Sequence, residues 1–100
     1  MSKVLNLSNR IKSHTNLLDS GVDVKKNMRL AISYYSDMAK IISLGDSSDD
    51  DCEMMADSYQ RIVESVPSAI LRNDGLSDFL LSIRDEIHED LVDDLLKVSI

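Results

Sequence analysis

Aromatic residues are scarce in this sequence, which has three Tyr, one Phe and no Trp among 100 residues. Proteins that bind single-stranded nucleic acid without sequence preference stack bases on aromatic rings set in a basic surface. With four rings in the whole chain and a formal net charge of −7, direct binding to nucleic acid is not expected.

Cysteine and histidine are equally rare. The lone Cys52 excludes a disulfide within the chain and fits a reducing compartment. His14 and His88 are far apart in sequence, and no Cys/His cluster has the spacing of a zinc site. An EF-hand beginning at Asp46 would need Gly and Glu where Asp51 and Asp57 stand. We therefore expect neither a metal nor any other cofactor.

Long apolar runs are also missing. No stretch approaches the roughly 20 apolar residues that span a bilayer, and the N-terminal residues MSKVLNLSNR lack the apolar run of a signal peptide. These features predict a cytoplasmic protein that does not bind membranes.

Motifs for catalysis are absent as well. The sequence has no Gly-rich phosphate loop and no nucleophile elbow. Arg84 and His88 echo the Arg…His pairs of some helical ribonucleases, but the acids around them would repel RNA phosphate, so we interpret His88 as a surface residue. The sequence predicts a protein that is not an enzyme.

Three Gly and one Pro separate segments with helical periodicity, and no segment alternates apolar and polar residues as a strand does. The first predicted helix covers about residues 3–19, with Ser2 as its N-cap. The second and strongest covers about residues 24–44 and ends before Gly45. Its apolar stripe comprises Val24, Met28, Ala31, Ile32, Tyr35, Met38, Ala39 and Ile42.

The linker GDSSDDD follows, and its Ser48 and Asp51 have the spacing of a capping box. We predict a third helix over about residues 50–66, ended by Pro67, then a short helical turn over residues 68–73. A fourth helix is predicted from an N-cap at Ser77 to about residue 98, with Leu76 and Leu81 as a hydrophobic staple. Its apolar ridge comprises Leu80, Ile83, Ile87, Leu91 and Leu95.

These elements predict an all-α fold, a small antiparallel bundle of four helices plus a short helical turn. One acidic domain is expected over residues 1–100, because neither half alone could bury both faces of its helices. We expect a monomer or a weak homodimer.

Charge is distributed unevenly. Residues 1–44 carry seven Lys/Arg and three acids, a net charge of +4, whereas residues 45–100 carry four Lys/Arg and fifteen acids, a net charge of −11. An acidic half without catalytic motifs favours a surface for a positively charged partner.

The predicted fourth helix concentrates this charge in two i, i+4, i+8 rows, residues 85/89/93 and 86/90/94. Each like-charge i, i+4 pair costs about 0.2–0.5 kcal/mol, and acids near a helix C-terminus oppose the helix dipole. A helix selected for stability alone would include Lys between these acids. We interpret the rows as a binding face; the alternative is a solvated face partly neutralised by the basic first half of the chain.

The candidate partner-binding residues form two patches and an aromatic anchor. Tyr34 is the candidate anchor, because Tyr is enriched at binding hot spots; the alternative is that Tyr34 belongs to the edge of the core. The first patch comprises Glu86, Glu89, Asp90, Asp93 and Asp94, and the second comprises Asp49, Asp50, Asp51 and Glu53.

In size, acidity and helical content the chain resembles bacterial immunity proteins of the colicin and contact-dependent-inhibition kinds. The resemblance implies an immunity or antitoxin-type inhibitor that neutralises a basic partner such as a nuclease toxin. One alternative is a helical adaptor or secretion-type chaperone that holds a partner helix in an apolar groove. Another is a phage-type nucleic-acid mimic or anti-defence protein.

Overall fold

The computed structural model describes residues 3–45, 48–86 and 89–99, except for the side chains at positions 89, 98 and 99. These residues form five α-helices and no strand, which confirms the all-α prediction. Ser2, Ile87 and His88, each assigned a role from sequence, lie outside the described residues. The helices are α1 (Lys3–Asp19), α2 (Val24–Ser43), α3 (Asp49–Arg72), α4 (Leu76–Ser82) and α5 (Glu89–Ser99).

The first two helices are confirmed to within one residue. Gly21 follows the end of α1 with a positive φ of 77°, which glycine adopts at little cost because it has no Cβ. Val22 N donates to Leu17 O at 3.0 Å and closes the last turn. Asn27 stabilises the turn into α2, because its Nδ2 donates to the carbonyl oxygens of Val22 (2.7 Å) and Asp23 (3.2 Å). The two helices are therefore joined through a short corner that backbone hydrogen bonds and the Asn27 side chain stabilise.

The core lies between α1, α2 and α3, and α5 packs against α3 and adds Leu91, Val92 and Leu95 to the same core. The predicted stripe of α2 is buried at its centre, where Met28, Ala31, Ile32 and Met38 are inaccessible to solvent. Ile11 and Leu18 meet it from α1, and Ile62, Val66 and Ala69 from α3. None of the helices in the described part of the chain is long and apolar enough to cross a membrane.

The third helix begins as predicted but does not end at Pro67. Both hydrogen bonds of the capping box are present, Asp51 N to Ser48 Oγ (3.2 Å) and Ser48 N to Asp51 Oδ2 (3.4 Å). Pro67 lies buried inside α3, which continues to Arg72 and includes the predicted short turn. An interior Pro costs about 3 kcal/mol. Continued burial of Val66 and Ala69 on either side of it offsets that cost.

The predicted fourth helix is wrong, since the chain forms two shorter helices there. α4 ends at Ser82, residues 83–86 form a turn with Arg84 N donating to Leu81 O and Glu86 N to Ile83 O, and α5 begins at position 89. A bidentate pair joins Arg84 to Asp93, with Nε–Oδ1 2.6 Å and Nη2–Oδ2 3.0 Å.

This ion pair is incompatible with one continuous helix. At 1.5 Å and 100° per residue, side chains nine positions apart would be separated by about 13.5 Å along the axis and point in opposite directions. The turn also removes the like-charge i, i+4 pairs 85/89 and 86/90 from helical register. Neither Gly nor Pro marks the turn, so side-chain packing and charge decide where the helix is interrupted.

The predicted start of that helix is also corrected. Gly75, with φ 82°, is the N-cap of α4, so Ser77 lies inside the helix rather than at its cap. Leu76 is the first helical residue and is buried, whereas Leu81 is 53% exposed. The staple needs an apolar residue before the N-cap, and the shifted boundary leaves none there.

Met38 tests the location of the core. Replacing Met38 by Ala should lower the free energy of unfolding by about 2–5 kcal/mol, because the fully buried side chain leaves a cavity between tightly packed helices. Met54→Ala is the matched control, since Met54 is only half-buried and should cost clearly less. Urea unfolding, monitored by circular dichroism, measures the free energy of unfolding of both variants. An equal decrease in the two would contradict the location of the core at Met38.

Candidate functional site

The first predicted acidic patch is largely engaged within the chain. Glu86 Oε2 accepts from Arg29 Nη2 at 2.7 Å, a surface ion pair between the turn after α4 and α2. Asp93 pairs with Arg84, and Asp94 Oδ2 accepts a hydrogen bond from Tyr59 Oη at 3.1 Å. Asp90 is exposed, and the side chain at position 89 lies outside the described residues. The acids of this patch thus fasten α5 and the turn to the rest of the protein.

The pKa values of these groups shift in the directions that the contacts require. Hydrogen bonding by Arg84 lowers the pKa of Asp93 from 3.8, and the charges of Arg84 and Lys97 act in the same direction, against partial desolvation. Burial raises the pKa of Tyr59, and its hydrogen bond to the Asp94 carboxylate adds to the shift. Burial, with nearby Tyr59 and Asp94, likewise raises the pKa of Tyr35.

The second predicted patch belongs to a longer acidic surface on α3. Asp50, Glu53, Asp57 and Glu64 are all exposed and recur at spacings of three, four and seven residues, so they share the side of the helix opposite its buried stripe. We call these four residues the α3 acidic face. At 1.5 Å per residue it extends over about 21 Å.

Two of the four carboxylates of the α3 acidic face have partners among the described residues, and both partners lie on α3 itself. Asp57 meets Arg61 at 3.6 Å, and Glu64 accepts from Gln60 Nε2 at 2.8 Å, both within the helix. Asp50 and Glu53 have no ion pair or hydrogen bond to other described residues. A surface groove of about 480 Å³ lies between Asp50, Glu53, Met54 and Asp57.

Sequence reasoning found only part of this surface. Asp49 and Asp51 belong to the first turn of α3, and the carboxylate of Asp51 closes the capping box. Asp57 and Glu64 lie beyond the run of adjacent acids and are not part of the predicted patch. The heptad spacing of Asp50, Asp57 and Glu64 was the available signal, because all three lie within the helix predicted over residues 50–66.

Few ion pairs join the basic first half to the acidic second half among the described residues. Of the cations in residues 3–44, Arg29 is the one that forms an ion pair with a described carboxylate. Lys25 lies 5.7 Å from the Phe79 ring, and Arg10 lies 5.4 Å from the Tyr34 ring. The alternative in which the basic half neutralises the acidic half is therefore supported by one ion pair between described residues, Arg29 with Glu86.

Tyr34 is half-buried between α1 and α2 rather than projecting alone. Its ring stacks on His14, with centroids 5.6 Å apart, and its hydroxyl accepts from Arg10 Nη1 at 3.3 Å. His14 Nδ1 lies 2.8 Å from Oδ1 of the buried Asn27. The predicted role of Tyr34 as a binding anchor remains a prediction.

Among the described residues, no three His, Cys, Asp or Glu side chains are grouped so that they could hold a metal ion. Cys52 is an exposed free thiol at the start of α3. Comparison of the chain with protein-family models, with curated proteins and with solved structures gives no match.

The Arg84–Asp93 pair predicts a specific pH dependence of stability. Because the folded-state pKa of Asp93 is lowered, its stabilisation is fully present above the ordinary value and is lost as pH falls through the lowered one. Asp93→Asn should therefore lower the melting temperature at pH 7, and its difference from wild type should shrink progressively as the pH falls below 3.8. Asp85→Asn, in the exposed turn, is the control and should change the melting temperature little throughout this range. A gap between wild type and Asp93→Asn that stays constant with pH would contradict the ion pair.

Proposed function

We propose that this protein is a non-catalytic inhibitor of immunity or antitoxin type, which binds a basic partner such as a nuclease toxin through the α3 acidic face. One observation carries the proposal. Four carboxylates lie along about 21 Å of one exposed helix side, and two of them, Asp50 and Glu53, have no partner in the described residues.

Charge complementarity supplies the mechanism. A nuclease presents a basic cleft to nucleic-acid phosphate, and a row of carboxylates on a rigid helix competes for the same cleft. The field of the acidic half also attracts a basic partner before contact and raises the association rate. The inhibitor needs no reactive group, because occupation of the cleft is sufficient.

The groove beside Met54 suits a long cationic side chain. Lys and Arg carry an apolar stem and a charged head. The stem would pack on half-buried Met54 while the head meets Asp50, Glu53 and Asp57 around it. One anchor of this kind at the centre of an interface can carry more binding energy than a wide ring of exposed charges.

The remaining predicted residues take secondary roles in the proposal. Asp90 and Asp49 are exposed and extend the negative surface, whereas Glu86, Asp93 and Asp94 would have to exchange a partner within the chain for one outside it. The proposed form is a cytoplasmic monomer or weak homodimer. The alternatives are a helical adaptor or secretion-type chaperone, and a phage-type nucleic-acid mimic or anti-defence protein.

Charge reversal on α3 tests the proposal. Glu53→Lys, Asp57→Lys and Glu64→Lys together change the local charge by six units, and each close charge pair at an interface is worth about 1.5 kcal/mol or more. The dissociation constant for a basic partner recovered by affinity capture should rise at least about 100-fold, and inhibition of that partner's activity should be lost. Calorimetry and an activity assay measure the two effects.

The matched control carries the same charge change elsewhere. Asp19, Asp74 and Asp78 are exposed and lie off the α3 acidic face, so replacing all three by Lys should alter binding by no more than a few fold. Equal weakening by both triple variants would indicate long-range attraction without a site. Wild-type affinity in the α3 variant, or an association rate that does not fall with ionic strength, would favour the adaptor.

A further inference from the structure

A second group of polar side chains lies on the basic side of the molecule, between α1 and α2. Arg10 and His14 are one turn apart on α1, and Asn27 and Tyr34 face them from α2. Tyr34 contacts both α1 residues, with its ring against His14 and its hydroxyl against Arg10. This cluster plays no part in the function proposed above.

The hydrogen bonds of Asn27 fix the tautomer of His14. Both amide protons of Asn27 are donated to backbone carbonyls, those of Val22 and Asp23, so its Oδ1 must accept. His14 Nδ1, 2.8 Å away, is therefore the protonated ring nitrogen. Because Asn27 is only 4% exposed, breaking these hydrogen bonds would leave its buried amide group without partners.

The other ring nitrogen of His14 remains available. Nε2 makes no hydrogen bond to a described residue, and protonating it leaves the Nδ1–H bond to Asn27 intact. An imidazolium at this position would present one N–H donor on a ring whose orientation Asn27 and Tyr34 hold in place.

Arg10 contributes a guanidinium without a carboxylate partner in the described part of the chain. Its Nη1 donates to Tyr34 Oη at 3.3 Å and its Nε to Asn6 Oδ1 at 3.4 Å, both long contacts to neutral groups. The remaining N–H donors are free to form a bidentate bond, the geometry that suits phosphate and sulfate oxygens.

A groove of about 310 Å³ opens next to Arg10, within the size range of small-molecule sites. Its lining combines apolar and polar side chains: Lys3, Asn6, Leu7, Arg10, Asp37 and Ile41. Lys3 adds a second cation, Leu7 and Ile41 provide an apolar surface, and Asn6 and Asp37 can accept hydrogen bonds from hydroxyl groups.

We propose that Arg10, His14 and Tyr34 bind the oxyanion of a small phosphate ester, whose organic part lies in the adjoining groove between α1 and α2. Arg10 would hold two anion oxygens, protonated His14 a third, and Tyr34 would orient both cations. The site binds and does not catalyse, so no bond is made or broken.

The net charge of −7 does not prevent this. At physiological ionic strength exposed charges are largely screened beyond about 8 Å. Apart from Arg29, which pairs with Glu86, six of the nine charged residues before residue 45 are cations. The inference stands independently of the α3 acidic face, and neither test bears on the other.

Sulfate is the first probe, because its charge is constant between pH 6 and 8. The full chain is titrated with sulfate at fixed ionic strength, with chloride as the reference anion, and the NMR signals of the His14 and Arg10 side chains are followed. These signals should shift and then saturate. His14 should add a donor to the site, so His14→Gln should weaken sulfate binding at least about threefold while leaving residual binding to Arg10.

Arg10→Gln should weaken sulfate binding at least about tenfold. Lys12→Gln is the matched control, because it removes one positive charge from an exposed position of the same helix and should change affinity less than twofold. Glycerol phosphate should bind more tightly than sulfate, since the groove accommodates its hydroxyl-bearing part.

Several results would overturn the proposal. Shifts that do not saturate, that chloride reproduces, or that Lys12→Gln reduces as strongly as Arg10→Gln would show general ionic attraction without a site. Equal affinity for sulfate and glycerol phosphate would show that the groove does not bind the organic part of the ester. Tighter binding of a short single-stranded oligonucleotide than of glycerol phosphate would assign the cluster to nucleic-acid backbone and overturn the small-ester assignment.

Discussion

Burial of the inner side of α3 is the constraint on which the rest of this structure depends. α3 contacts each of the other four helices, with Ile62, Val66 and Ala69 fully enclosed. Packing of the other helices against this buried side leaves the opposite side of α3 exposed. That side holds the α3 acidic face, so the same packing that builds the core also leaves its carboxylates in solvent.

The acids of the second half divide into two groups with different physical roles. Those near the C-terminus hold local structure: Glu86 joins the turn to α2, and Asp93 and Asp94 fasten α5 to Arg84 and Tyr59. Those on α3 are solvated or paired within one helix, where ion pairs contribute little to stability. Charge that does not stabilise the fold is the charge best suited to a partner.

The two proposed sites lie on parts of the chain with opposite charge. The α3 acidic face belongs to the acidic second half, and the cluster of Arg10, His14 and Tyr34 belongs to the basic first half, where cations largely lack carboxylate partners among the described residues. Such segregation gives the protein a strong electrostatic asymmetry, which favours oriented approach of a charged ligand or partner.

The sequence by itself determined the helical class, the bounds of α1 and α2, the capping box at Ser48 and the central core stripe, because periodicity and caps are local properties. Only the tertiary structure decided the course of α3 through Pro67 and the interruption after Ser82. In both places a local preference of a few kcal/mol competes with burial and ion pairing between distant segments, such as Arg84 with Asp93. Which acids remain free for binding follows from those long-range contacts, and no local pattern in the chain encodes them.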